Sequence, residues 1–458
     1  MENLSKLKML MLGFQHVCVM YGGAVAVPLI VGPAIGLSQE QIVMLISFDL
    51  LACGIVTLIQ VVGGKGIGIQ LPALMAVSFI VVEPVIAIGK VHSITGVMGA
   101  VMVSGLIVAL VAKYISKMVP YFPPIVAGSV ILIIGVSLMP VAMRNAAGGA
   151  GSPTFGDPKN LFLAAFTLLA FILINTLSKG FLKAVSVLAA MVLGTLLAGI
   201  MGMVDTSGFS QASWFNMPAP FYFGIPTFDV SAIITMSIIS LIIAVESIGV
   251  FMTLGEVCDR DIKEDDVAKG LRAEGVGSMI SGVFNSFSHS TFSQNVGLVL
   301  LTRVTQRSVV ITAGGILILL GLVPKVAGLT TMIPAPVLGG AMIPMFGMLL
   351  SASLGMIAKA DLKKPSNQII IALGVGVGLA VKGVPEAFAK FPETVHLIAG
   401  NGVVMGTFVL VVLNAILNGR SNKSHQHALS VPPAQENLEL AAAKEEIELT
   451  DVPPTAKI

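Results

Sequence analysis

The chain has 458 residues, of which 55% are hydrophobic and 11% charged, with a formal net charge of +2. A soluble domain carries about 25% charged residues, so composition excludes a soluble globular protein and leaves an integral membrane protein. No basic patch with interleaved aromatics offers a surface to nucleic acid, and the scattered Cys18, Cys53 and Cys258 make neither a disulfide framework nor a zinc site.

A hydrocarbon core takes about 20 apolar residues per helix. On that ruler the chain predicts fourteen spans, at 9–31, 40–62, 73–89, 93–114, 122–143, 160–178, 183–204, 230–254, 267–284, 293–303, 306–323, 335–357, 366–382 and 403–418. The first follows Lys6 and Lys8 without a small-residue cleavage site and reads as an uncleaved span. Spans three and ten are short. Each has a polar or glycine-rich lead, 66–71 and 287–292, expected to form a short extended strand. Residues 285–303 (NSFSHSTFSQNVGLVLLTR) are the clearest case, a run rich in Ser, Thr and His that turns apolar halfway. Backbone without regular helix persists at membrane depth only where protein buries it or it lines a cavity. This stretch is therefore expected to be a broken span whose break is a binding site. Beyond Asn418 the chain turns polar, and 420–458 reads as a disordered cytoplasmic tail.

Charge supports the count. An even number of spans puts both termini on one side, and 20 of the Lys and Arg residues then share that side against 6 opposite. The positive-inside rule makes it the cytoplasmic side. Residues 124–128 (PIVAG) open span five and 336–340 (PVLGG) open span twelve, seven spans later, and the two short spans are also seven apart. An odd offset inverts the second half relative to the first. Interrupted spans at matching positions of inverted halves point to a transporter's site.

Ionisable residues inside spans are expensive and therefore functional candidates. Glu246 is mid-span with no base at its depth, which favours function over a structural ion pair. Glu274, beside Arg272, reads equally as support of the site, a local salt bridge or a ligand contact. Asp49 divides between function and a buried helix–helix hydrogen bond, and Glu83 is expected near an interface. His16, after Gln15 in the first span, is either a packing residue or a proton carrier; His289 reads as a loop hydrogen-bonder. Gln294 and Asn295 open a half-helix, where free N–H groups and the positive dipole end lie. Their amides suit a planar heterocycle with ring N–H and C=O groups. Glu246 would accept from ring N–H groups on another edge, and Phe79 would supply a stacking face. Signatures of zinc proteases, nucleophile-elbow hydrolases and phosphate loops are missing, and no nucleotide-binding domain could power primary transport. The chain is not read as an enzyme, and no metal is expected.

The run from Gln294-Asn295-Val296-Gly297 to Thr302-Arg303 resembles the signature of the nucleobase–ascorbate transporter family, the nucleobase–cation symporters or xanthine/uracil permeases. That signature is Gln/Glu-Asn-x-Gly, four free positions, then Thr-Arg. Gln15-His16 and Glu246-Ser247-x-Gly249 match two further motifs, and the resemblance covers about 9–418. It implies an all-α multi-pass membrane protein with 14 transmembrane segments in two inverted seven-span repeats, spans 3 and 10 each broken into a short strand and a half-helix. A core domain would comprise 1–117 and 226–325, and a gate domain 118–225 and 326–419. By resemblance Glu246 and Gln294 bind a purine, Asn295 orients the site, and Val77, Ser78, Phe79 and Ser293 line it. Gln15, His16, Ala76 and Glu274 would shape the site or its coupling. Many members have Asp or His where Val250 stands, so coupling would rest on Glu246, His16, Glu274 or another ion. Ala76 stands where some xanthine carriers have Asn, implying a roomier pocket open to uric acid, and Gln294 in place of Glu favours an oxopurine. The implied activity is elevator-type symport of xanthine, uric acid or both. A proton gradient, rather than Na+, would drive it without a cofactor. The implied setting is a homodimer in the bacterial cell membrane with both termini cytoplasmic. The alternatives are symport of uracil or another nucleobase, and an anion transporter or channel of the same fold.

Overall fold

The computed structural model describes residues 5–117 and 123–419; the expected tail at 420–458 lies outside them. Helices α1 (Lys6–Ala34) and α2 (Gln39–Val62) lead to strand β1 (Met75–Val77), a 3-10 turn at Phe79–Val81, and α3 (Val82–Lys117). Then come α4 (Pro124–Ala146), α5 (Pro158–Leu177), α6 (Gly180–Ala184), α7 (Ser186–Ile200) and α8 (Ser207–Gln211). The second half runs α9 (Val230–Val257), α10 (Glu264–Val283), β2 (His289–Thr291), α11 (Gln294–Thr302), α12 (Arg307–Gly321) and α13 (Pro324–Thr331). It closes with α14 (Ala335–Ile357), α15 (Pro365–Gly383), α16 (Glu393–Ala399) and α17 (Gly402–Leu417). Local chemistry starts these helices. Pro sits in the first turn of α4, α5, α14 and α15, where its missing N–H costs nothing. Ser38 and Gln41 form a capping box on α2, at 2.9 and 3.3 Å.

Among the described residues eight helices are long and apolar enough to cross a membrane, or nine if α12 and α13, bent by 82°, form one span. A helix stands at each of the other expected positions too, but α7 and α17 are shorter, α11 has 9 residues, and α10 opens on Glu264, Asp265 and Asp266. The expected spans three and four are continuous in α3 apart from Ser93, whose φ of 61° interrupts the helix.

The first expected strand is displaced. Residues 66–71 form a loop because Gly68 and Gln70 have φ of 87° and 58°, in the left-handed region that a strand cannot use. A Cβ on Gly68 would lie 2.7 Å from the Gly63 Cα, so this turn needs glycine. Arg260 Nη1 donates to Ile69 O and Gln70 O at 3.1 and 3.3 Å, and Arg272 Nη1 donates to Gly66 O. Arg272 is thus committed to this loop rather than to Glu274. The strand forms further on, where β1 pairs antiparallel with β2 in the register Met75–Thr291, Ala76–Ser290, Val77–His289.

The helices pack in matched pairs. α3 lies on α10 and α2 on α12; α5 lies on α7 and α15 on α17. α4 and α14 cross antiparallel, with close contacts near the helix starts that carry the repeated segments 124–128 and 336–340. A Cβ on Gly128 of α4 would meet Ser353 O at 3.0 Å, and one on Gly339 of α14 would meet Ala146 N at 2.1 Å. Small residues that let backbones approach are how membrane helices gain packing energy. Gly339→Val is therefore expected to destabilise the fold by about 1–3 kcal/mol. Gly376→Val, facing open space, should change stability by less than about 0.5 kcal/mol. Thermal unfolding of both variants in detergent measures the difference.

Candidate functional site

The site lies where the two strands give way to helices. Val77 ends β1, and the Ser78 hydroxyl accepts from Ile80 N at 3.3 Å to start the turn that carries Phe79. Opposite, β2 ends at Thr291 and α11 starts at Gln294 after Ser293. A cavity of about 340 Å³ opens between these tips. Glu246 of α9 enters it from one side, with Val77, Ser78, Phe79, Ser293 and Gln294 around it. The expected constellation thus shares one cavity. No Lys or Arg lines it among the described residues.

The far wall comes from α4 and α14, through Ile134 and Leu349. Sequence reasoning missed both, along with the lining residues Ile80, Ser290, Thr291 and Phe292. The repeated Pro-x-x-x-Gly turns singled out the right two helices, but an apolar residue on an apolar helix gives no signal of which face meets a ligand. Phe79 meets α14 directly, with its ring edge-on to Phe346 at 5.3 Å and 85°.

Glu246 Oε2 is buried with no partner in the protein. Glu274 sits behind β2, where its Oε1 accepts from Thr291 N at 3.2 Å and Thr291 Oγ1 at 2.8 Å. It braces the strand and does not line the cavity.

Gln294 and Asn295 were expected side by side toward a ligand, and the helix separates them. Successive helical residues point about 100° apart. Gln294 faces the cavity, and its Oε1 accepts from Ser293 Oγ at 3.2 Å. Asn295 turns to α1 and donates through Nδ2 to His16 Nδ1 at 3.1 Å and His16 O at 3.2 Å. His16 therefore pins the half-helix and accepts at Nδ1, which places the neutral ring's proton on Nε2. Gln15, half-buried on α1, lies outside the cavity lining. Ala76 lies outside it as well: alternation along β1 puts its side chain on the far face, in the apolar cluster with Met20, Ala24 and Phe292. It bears on the cavity from behind, through Phe292, which lines it.

Asp49, left open by the sequence, and His289, expected in a loop but set at the start of β2, meet in a buried network. Asp49 Oδ1 accepts from Ser286 Oγ, and Cys53 Sγ lies 4.0 Å from Asp49 Oδ2 and 3.2 Å from His289 Nε2. His289 Nδ1 lies 2.9 Å from both Ser281 Oγ and Phe287 O. Metal-ligating atoms of Asp49, Cys53 and His289 fall within 4.8 Å of one another, but this network already satisfies all three. Glu83 pairs with Lys382 of α15.

The sequence model of a family described as a permease family, Xan_ur_permease, matches residues 7–387. The chain is 45% identical over 423 residues to a xanthine permease of Bacillus subtilis, covering 92% of this chain and 97% of that one. It is also 45% identical over 420 residues to the uric acid transporter UacT of Escherichia coli, covering 91% and 87%. The transmembrane domain of a cyanobacterial bicarbonate transporter, BicA, superposes with a TM-score of 0.62 at 15% identity, over 87% of this chain and 98% of that one. At that identity the likeness is one of fold alone.

The His16–Asn295 contact yields a measurable coupling. His16→Ala and Asn295→Ala should each lower thermal stability. The double variant should lose less than their sum by about 0.5–3 kcal/mol, the range for residues in direct contact. Strict additivity would show that the contact does not hold α11.

Proposed function

The chain belongs to the Xan_ur_permease family of permeases, and on that premise we propose that it imports an oxidised purine, xanthine or uric acid, by proton symport. It is a membrane transporter and not an enzyme. The observation that carries the purine reading is Glu246, a cavity-lining carboxylate with an unpartnered oxygen. A carboxylate in such surroundings needs donors. A purine dione supplies ring N–H groups for a charge-assisted pair. The Gln294 amide can donate to a carbonyl and accept from a ring N–H along a neighbouring edge, and Phe79, steadied by Phe346, offers an aromatic surface.

Xanthine and uric acid both stand, since relatives named for each are 45% identical to this chain. With Ala76 on the far face of β1, discrimination falls to Ile134, Leu349 and the strand tips.

In the proposed mechanism the fourteen spans form two inverted repeats. Residues 1–117 and 226–325 act as a core that slides against a gate of 118–225 and 326–419. The matched helix pairs and the close α4–α14 contacts support this reading. So does a cavity walled by β1, β2, α9 and α11 on one side and by Ile134 and Leu349 on the other. Substrate and proton load together from outside, with Glu246 and Glu274 as the carboxyls at hand. The protein works as a homodimer in the bacterial cell membrane with both termini cytoplasmic. An anion carrier on the same fold is the rival reading, and it calls for a basic wall; this wall carries a carboxylate and, among the described residues, no Lys or Arg.

Uptake of labelled xanthine, urate, hypoxanthine and uracil in cells lacking their own purine carriers tests the proposal. Xanthine or urate should accumulate, and a protonophore should abolish accumulation. Glu246→Ala should cut uptake by about 10- to 100-fold, the worth of a charged hydrogen bond. Phe79→Ala should raise KM by about 3- to 10-fold through loss of the aromatic contact. Full uptake by Glu246→Ala would sink the site, and uptake that ignores the protonophore but needs Na+ would sink proton coupling.

A further inference from the structure

Helix α1 meets the segment between β2 and α11 at two points on one face. His16 holds Asn295. Two helical turns further along that face, the buried Gly23 meets Phe292. A Cβ built on Gly23 would lie 2.8 Å from Phe292 Cζ, 3.1 Å from Phe292 Cε2 and 3.5 Å from Met345 Cε of α14. The ring tip therefore occupies the space that a side chain on Gly23 would need. Met345 stands one turn before Leu349, on the same face of α14 as that part of the far wall.

Phe292 lines the cavity and is 7% exposed. Its backbone is fixed from both sides: its N–H donates to Leu74 O at 2.8 Å, and its carbonyl accepts from Asn295 N at 3.2 Å. The side chain belongs to the apolar cluster with Met20, Ala24 and Ala76, and close packing there leaves the ring no slack behind it. Pressed from Gly23, the ring has the cavity side to move into. We infer that Gly23 is a positioning residue: its missing side chain lets the Phe292 ring lie back against α1, and this sets the largest purine the cavity admits. The inference rests on the purine reading and adds the control of size to it. A methyl group added at Gly23 acts as a wedge behind the ring. It costs bulky purines more than small ones and leaves Glu246 and Gln294, which meet the purine edges, unaltered.

Competition in cells lacking other purine carriers tests this. Uptake of labelled xanthine or urate, whichever accumulates, is competed with xanthine, uric acid and 8-methylxanthine. The last two are larger than xanthine, and 8-methylxanthine keeps every ring N–H of xanthine. Gly23→Ala should weaken competition by the two larger purines relative to xanthine by about tenfold, the lower end of what one methyl-sized change in a pocket is worth. Phe292→Leu in the same chain takes ring atoms away from the wedge and should bring the ratio back toward that of the wild type. Phe292→Tyr extends the ring tip and should narrow the site in a chain whose α1 is unaltered, which decides the matter if Gly23→Ala does not reach the membrane. Unchanged ratios in either variant that reaches the membrane overturn the inference. So does an equal loss for every purine that Phe292→Leu leaves unrelieved, since that is the mark of disturbed helix packing. If the wild type accumulates neither xanthine nor urate, the purine reading fails and takes the inference with it.

Discussion

Buried extended backbone has no water to bond to, so the pairing of β1 with β2 is the constraint on which the rest of this structure depends. Two three-residue strands are too few to be stable alone, and helix side chains complete them. Thr57 Oγ1 accepts from Met75 N at 3.0 Å, Ser278 Oγ from His289 N at 3.4 Å, and Glu274 Oε1 from Thr291 N at 3.2 Å. Ser78 N reaches Ser288 O and Phe292 N reaches Leu74 O, at 3.1 and 2.8 Å, extending the ladder at both ends. The helices that follow each strand can then start in the middle of the protein, with their first residues beside the cavity.

The three carboxylates near this ribbon, Asp49 and Glu274 buried and Glu246 partly so, divide the labour of holding and binding. Asp49 is tied to the β2 lead through Ser286. Glu274 spends one oxygen on Thr291 and leaves the other unpartnered, and Glu246 keeps an unpartnered oxygen while lining the cavity. An uncompensated charge is costly at membrane depth, so residues of this kind persist where something else, a proton or a ligand, completes them. The apolar residues do different work. Gly128 and Gly339 let α4 and α14 approach closely, and the same two helices carry Ile134 and Leu349 of the far wall.

Legibility in the sequence follows from this division. Residues 285–303 were readable because polar residues are rare between apolar spans, and Glu246 because a mid-span charge stands out. Ile134 and Leu349 were not, since apolar side chains on apolar helices look alike whether they meet lipid, protein or ligand. The strand expected at 66–71 failed because β-prone residues there share the stretch with Gly68 and Gln70, whose left-handed backbone turns the chain. Ala76 was expected in the lining itself and stands behind it instead. Matching a motif names a position, but the period of two along a strand decides which face it serves.

Composition, hydropathy and the charge pattern of the loops determined by themselves that this is a multi-pass membrane protein, and its motifs marked the two strand–helix breaks and Glu246. Those are properties of single segments set against their solvent. Only the tertiary structure decided that β1 and β2 pair across more than 200 positions, that Gln294 faces the cavity while Asn295 turns to His16, and that Glu274 lies behind the strand. Each depends on which distant groups satisfy a buried donor or acceptor, and a one-dimensional pattern does not contain that geometry.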